Sequence, residues 1–333
     1  MLPSHSDRNP IPSALSGFHR HELTGRPLNL SATLASGQNF RWRQDSERIW
    51  WGVIGDLAVG VWQEAGQPDS PLFWQTFPEP GRWEVIADYF RLEVDLEALY
   101  AAWSRAEPRI ADALTAFRGL RLLRQPPVEC FFAFQCAACN TVVKIERSVS
   151  QLAARYGEPL AVSRPPAVAA NPGEERIFYT FPTLEALAQA DERALRADLW
   201  GYRAPRVIAL ARHLLSLSPD WLASLRQASY AEAHAALTAL HGVGAKLADC
   251  ICLFALDKDE AVPVDTHIRQ IALRLFLPDL AGKSLTPRVY SALADAYRAR
   301  FGPYAGWAQQ YLFFAELRRA DAYRDPALSG AAD

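Results

Sequence analysis

Leu240-His241-Gly242-Val243-Gly244-Ala245-Lys246-Leu247-Ala248-Asp249-Cys250, followed fifteen residues after Cys250 by Asp265 within Val262-Pro263-Val264-Asp265-Thr266-His267, decides how this chain is read. Two glycines around one small apolar residue permit a tight turn with outward backbone N–H groups, and the helix that follows aims its positive dipole end the same way. The turn is therefore an anion site. Lys246 falls in the first turn of that helix, where the dipole, nearby cations and partial burial are expected to lower its pKa and release a neutral, nucleophilic amine. Cys250 stands at i+4 from Lys246, so the two project from one helical face and are expected to share a pocket wall.

Asp265 follows Pro263 and precedes the apolar period Ile268, Ile271, Ala272, Leu275, which is the position of a helix N-cap. Taken singly, Asp265 reads as a cap, Lys246 as a solvated side chain and Gly-Val-Gly as any tight turn. Together they gather a phosphate-binding turn, an amine and a carboxylate, a combination that points to chemistry.

Outward from this stretch, helices over 231–240 and 246–256 enclose the glycine turn and make a helix-hairpin-helix. Outward amides in such a hairpin hold backbone phosphate without reading sequence. Ser229-Tyr230-Ala231-Glu232 forms a capping box ahead of the first helix, and Thr286-Pro287 opens another as N-cap and N1 proline. That helix, 287–300, stops at Gly302-Pro303, and the next begins near Tyr304. Gln309 and Phe313 are i and i+4 on it, an amide and a ring sharing a face. Singly they read as a solvated position and a core aromatic. Tyr202-Arg203, after Gly201 between helices, reads as a surface pair, while Trp50, Trp51 and Trp307 read as core.

Nearer the N-terminus, Phe40-Arg41-Trp42 and the stretches 49–54 and 57–62 are rich in aromatic and branched residues punctuated by Gly, the pattern of a small antiparallel sheet. Helical periods cover 83–117. The fold class is thus an α+β N-terminal domain over 21–122, followed by an all-α helix-hairpin-helix domain over 123–325. Tails of 1–20 and 326–333 flank them, and 161–175 reads as an insertion or loose loop.

The 333 residues suffice for two domains, and 50% hydrophobic with 22% charged residues is ordinary for a globular protein. A net charge of -2 argues against a wholesale basic coat but leaves room for a local basic groove. The longest apolar-looking stretch, 130–145, is broken by Gln135, Asn140, Thr141 and Lys144 and is too short to span a membrane. The N-terminus has no apolar core for secretion, so an intracellular protein is expected. Five cysteines fit a reducing compartment. Cys130, Cys136 and Cys139 lack a nearby fourth cysteine and read as core rather than a cluster site, so no metal and no cofactor is expected.

With these residues in view, the chain resembles the 8-oxoguanine DNA glycosylases of the helix-hairpin-helix superfamily. The resemblance runs through 28–42 with Ser36-Gly37-Gln38-Asn39-Phe40-Arg41-Trp42, Leu120-Arg121-Leu122-Leu123-Arg124-Gln125, Gly201-Tyr202-Arg203-Ala204, the block 242–274, and Gly302-Pro303-Tyr304-Ala305-Gly306-Trp307-Ala308-Gln309. It implies an enzyme, working as a monomer, that extrudes an oxidised purine from double-stranded DNA and cuts its glycosidic bond. Lys246 then attacks the sugar C1′, Asp265 supports the charge developing there, and the resulting Schiff base eliminates the 3′ phosphate. Gly37 offers its carbonyl to the N7–H that marks oxidised guanine, Gln309 reads the Watson–Crick edge, and Phe313 and Cys250 sandwich the ring. His267 and the amides around Gly242 and Gly244 hold phosphates.

On the opposite strand the resemblance implies Tyr202 as a wedge and Arg203 as a contact to the orphaned cytosine. The chain departs from the family there: the inserted asparagine aligns with Cys139, Asn140 being adjacent, and a family arginine aligns with Lys144. Arg and Lys differ at a bidentate site, so relaxed preference for cytosine is expected. Two other readings stay open: an alkylated-base glycosylase using Asp265 and an activated water, and a noncatalytic module that binds DNA backbone.

Overall fold

The computed structural model describes residues 15–137, 140–162 and 177–324. Five strands, β1 (His19–His21), β2 (Arg43–Gln44), β3 (Trp50–Ile54), β4 (Leu57–Trp62) and β5 (Leu72–Phe77), form an antiparallel sheet in the order β1-β5-β4-β3-β2. Strand periodicity divides β4 between two cores. Leu57, Val59 and Val61 face one apolar cluster with Trp42, Trp74 and Phe90, while Ala58 and Trp62 face another with Leu15, Trp51 and Phe178. Gly52 is required by a close approach, since a Cβ there would meet the Trp42 ring at 2.4 Å.

Three features of this half differ from the sequence reading. Strand β5 was not anticipated, although Leu72 and Trp74 alternate inward. The strand expected at 40–42 is displaced to Arg43–Gln44, because Phe40 and Trp42 are drawn into different cores. Within the range 1–20 expected as a tail, residues 1–14 lie outside the described residues, while Leu15 is buried and His19–His21 pairs with β5.

The helices are α1 (Leu30–Ala35), α2 (Trp83–Tyr89), α3 (Leu96–Ala106), α4 (Ala111–Ala116), α5 (Pro127–Ala137), α6 (Val142–Tyr156), α7 (Leu184–Ala188), α8 (Glu192–Leu195), α9 (Ala204–Leu217), α10 (Trp221–Ser224), α11 (Tyr230–Thr238), α12 (Ala245–Ala255), α13 (Thr266–Leu275), α14 (Pro287–Phe301) and α15 (Ala305–Arg324). A two-stranded ribbon, β6 (Pro159–Leu160) with β7 (Phe178–Tyr179), lies between α6 and α7. The loop expected over 161–175 falls largely outside the described residues. The helices share one large apolar core built around Phe131, Ile251, Leu253, Tyr297 and Trp307. Helices α3 and α4 join that core, with Trp103 edge-on to Phe301 and Tyr311.

The caps read from sequence form as expected. Ser229 and Glu232 complete a capping box on α11, and Thr286 with Pro287 opens α14. Polar contacts fasten the sheet half to the helices that carry the site. Arg91 pairs with both oxygens of Asp259 at 2.5 and 3.0 Å, and Trp307 donates to the same carboxylate at 2.8 Å. Among the described residues no helix is long and apolar enough to cross a membrane.

Candidate active site

Gly244 is the N-cap of α12, which makes Lys246 its second residue, and Gly242 adopts φ +78°, a conformation open chiefly to glycine. Both glycines are exposed while Val243 between them is buried, so the hairpin is anchored by its apolar residue and turns its backbone outward. Arg206, from the first turn of α9, lies where a Cβ on Gly242 would stand, its side-chain atoms within 3.0 Å of that point. Sequence reasoning passed over Arg206. Its only sequence signal was its place three residues after Arg203.

One cleft is lined by Gly37, Lys246, Cys250, Asp265, Gln309 and Phe313, with Phe134 and Phe254 among its apolar walls. All four residues expected at the base and both expected at the sugar are therefore brought together from four separate parts of the chain. A larger surface groove between α4, α13 and α15 holds Arg109, Arg274 and Glu316, but Arg109 is paired with Glu107 and Arg274 with Glu316. Its lining includes no lysine or cysteine beside a carboxylate.

Lys246 lies 5.7 Å from the centre of the Phe134 ring and shares the cleft wall with Cys250, one helical turn further on. Its pKa departs from expectation in sign. The Cys250 sulfur foremost, with Asp265 behind it, holds the amine above its ordinary range against the opposing pull of burial. The expected neighbouring cations are not what surrounds it; a sulfur and a carboxylate are. Burial in turn pushes the Cys250 thiol up.

Asp265 fills both of its readings at once. Its Oδ1 accepts the Ile268 N–H at 2.8 Å as the cap of α13, and the side chain still faces the cleft. Gln309 is only 3% exposed, and its Oε1 has no hydrogen-bond partner. A buried amide oxygen left unpaired costs stability. His267 sits edge-to-face with Phe313 at 6.0 Å, in the first turn of α13.

The Gly37 turn, at φ +75°, is held by buried amides that the sequence reading did not assign. Gln38 donates to the carbonyls of Thr33 at 3.0 Å and Arg121 at 2.9 Å and accepts the Leu123 N–H at 2.8 Å, while Gln125 donates to the Gln38 carbonyl at 2.7 Å. From the far side Gln310 donates to the Ser36 carbonyl at 3.0 Å. Arg121, fully buried among carbonyls with its pKa pushed down by burial to about 10, braces the same seam.

Tyr202, Arg203, Asn140 and Lys144 do not line the cleft. Tyr202 is 64% exposed, with the Arg203 guanidinium 4.5 Å above its ring. Asn140 donates to the Cys136 carbonyl at 3.4 Å, and the charge of Arg203 acts on the Cys136 thiol, so these residues meet around one buried cysteine. Lys144 is exposed on α6 beside Val142 and Val143, which are also exposed. Cys139 lies outside the described residues. Among the described residues no group of three or more His, Cys, Asp or Glu is arranged to hold a metal ion.

Comparison with known proteins agrees with this geometry. A family model described as 8-oxoguanine DNA glycosylase, N-terminal domain, matches residues 22–131, and one described as HhH-GPD superfamily base excision DNA repair protein matches residues 141–290. The N-glycosylase/DNA lyase of Arabidopsis thaliana is 36% identical over 304 residues, covering 89% of this chain and 79% of that protein. That of Saccharomyces cerevisiae is 32% identical over 338 residues, covering 90% and 86%. The solved structure of MBOgg1 in complex with a low-affinity DNA ligand superposes with a TM-score of 0.75 at 26% identity, covering 91% of this chain and 99% of that one. The chain belongs to the N-glycosylase/DNA lyase family of helix-hairpin-helix base excision repair enzymes.

Proposed function

We propose that this protein excises 8-oxoguanine from duplex DNA and then cleaves the strand at the emptied sugar, as a single chain. The observation that carries the reading is the cleft itself, where a lysine amine and a carboxylate share one wall with an unpaired buried glutamine. The flipped base enters between Phe313 and Cys250, where its rim meets Gln309 and the Gly37 carbonyl. Guanine presents an acceptor at N7 and would face that carbonyl acceptor to acceptor, whereas the oxidised base presents N7–H. Discrimination of this kind is worth about 1–3 kcal/mol, the cost of one unpaired buried polar group.

Lys246 must first lose the proton its surroundings favour. Its nitrogen then bonds C1′ as the bond from C1′ to the base nitrogen breaks, and the departing base takes up a proton. Asp265 supports the positive charge that gathers on the sugar. Ring opening leaves a Schiff base, from which loss of a C2′ proton expels the 3′ phosphate. Gly242, Gly244, His267 and Arg206 hold backbone phosphate around the site. One chain completes the cleft, so no second copy is needed. Such a substrate puts the protein inside the cell, at the chromosome.

Borohydride trapping with an 8-oxoguanine duplex tests the chemistry. The wild-type protein is expected to give a covalent adduct, and Lys246→Gln is expected to lose it along with base release by a factor on the order of a thousand or more. Base release without an adduct would instead indicate attack by water, and DNA binding without release would indicate a module with no catalysis.

A further inference from the structure

Lys246 and Asp265 belong to different helices and are nineteen residues apart. Their chemistry requires a fixed relative position, and one buried carboxylate spans the gap between their supports. Asp249, one turn beyond Lys246 on α12, is fully buried. Its Oδ1 accepts the Tyr230 hydroxyl at 2.7 Å and its Oδ2 accepts the Tyr290 hydroxyl at 2.6 Å. The oxygen of Tyr290 accepts in turn the backbone N–H of Val264 at 3.2 Å, in the residue directly before Asp265.

We propose that Asp249 and Tyr290 form a positioning bridge, which sets the Lys246 amine against the Asp265 carboxylate by tying the start of α12 to the strap that leads into α13. Asp249 does not line the cleft, so it acts on substrate only through the residues it holds. A buried carboxylate is an expensive way to fasten two segments, since apolar side chains of similar volume pack at lower cost. Among the described residues His234, at 3.8 Å and partly exposed, stands near it as a potential countercharge, with Arg298 farther off, stacked on the partner Tyr230 at 5.5 Å. What the carboxylate provides that packing cannot is direction: two hydroxyls held by the two oxygens of one group, one of them passing the constraint to a single backbone amide.

The two tyrosines supply the control. Both are half-buried and each donates to Asp249, but only Tyr290 reaches the Asp265 strap. The inference rests on the Schiff-base reading above. In single-turnover assays of the full chain with an 8-oxoguanine duplex, at saturating protein, Tyr290→Phe is expected to slow base release and adduct formation together by about tenfold to a hundredfold, the usual effect of a misplaced reacting group. The Kd for the duplex should stay within about twofold of wild type. Tyr230→Phe is expected to lower Tm by a similar amount yet keep the wild-type rate. Asp249→Asn, whose amide oxygen can still receive the Tyr290 hydroxyl, should stay within a few-fold of wild type. Equal rates in the two tyrosine variants, or a Tyr290→Phe defect confined to Kd, would overturn the bridge while leaving the lysine chemistry in place. A wild-type protein that forms no adduct would overturn that chemistry, and the bridge with it.

Discussion

The base cleft and the opposite-strand face are built in contrasting ways. In the cleft, the turn carrying Gly37 is fixed by Gln38, which donates to the Thr33 carbonyl, and Gln310, which donates to the Ser36 carbonyl; Cys250 and Gln309 are buried, and Asp265 is locked as a helix cap. On the other face Tyr202, Lys144, Val142 and Val143 are exposed, and Asn140 bonds near neighbours in its own segment, donating to the Cys136 carbonyl at 3.4 Å and accepting the Thr141 N–H at 3.1 Å. On the proposed reading, the cleft is preorganised before DNA arrives, whereas the face acquires its contacts from the duplex. Preorganised groups lose little entropy on binding and give rate and selectivity, whereas exposed side chains must be ordered by the partner and contribute smaller, more replaceable increments.

The largest consequence falls on Gln309. An acceptor held buried and unpaired is a stability cost retained at a functional position, so removing it should move stability and activity in opposite directions. Gln309→Leu is expected to leave Tm unchanged or higher, while single-turnover excision of 8-oxoguanine falls by about a hundredfold, near 2.7 kcal/mol. If Tm falls together with the rate, Gln309 is part of the packing and the cleft loses its distinction from ordinary core.

The same contrast explains what the sequence could reveal. The hairpin, the Asp265 cap and the capping box at Ser229 and Glu232 are set by residues within four positions of each other, and each forms where the pattern places it. Strand β1 is polar, His-Arg-His, and is a strand only because Leu72, Phe73 and Trp74 lie alongside to pair with it. The bracing of Gly37 was equally hidden, since Gln38 finds Arg121 83 positions away and Gln310 finds Ser36 274 positions away. The Lys246 pKa failed for the same reason. Its i+4 partner Cys250 was visible, but the balance among sulfur, carboxylate and burial depends on how a distant strap folds back beside it. Recognition of a family motif supplied the cleft residues, whereas the network that supports them had to be seen.

On the exposed face the expected effects are smaller. Lys144 stands where the resemblance implies an arginine, and an ammonium cannot reproduce a two-pronged guanidinium contact. Excision rates with cytosine and with adenine opposite the lesion should therefore lie within about tenfold of each other. Lys144→Arg should raise the cytosine preference by about another tenfold, the worth of one good bidentate contact. A wild-type preference on the order of a hundredfold would mean that Tyr202 and Arg203 suffice, and that this face is more preorganised than its exposure implies.

Arg206 marks the lower limit of the comparison. It is half-buried against Gly242, so it has the rigidity of the cleft, but the turn it packs on is proposed to hold phosphate and would read no sequence. Rigid placement there should strengthen binding without adding selectivity. Arg206→Ala is expected to weaken duplex binding only a few-fold, equally for damaged and undamaged DNA, and to reduce the slope of log Kd against log salt by about 0.9, one phosphate's worth of released counterion. The excision rate at saturating protein should not change. An unchanged salt slope would mean that the guanidinium serves only to pack the glycine turn; a loss specific to damaged DNA would mean that the hairpin and the cleft are energetically coupled, and the boundary between them would have to be drawn elsewhere.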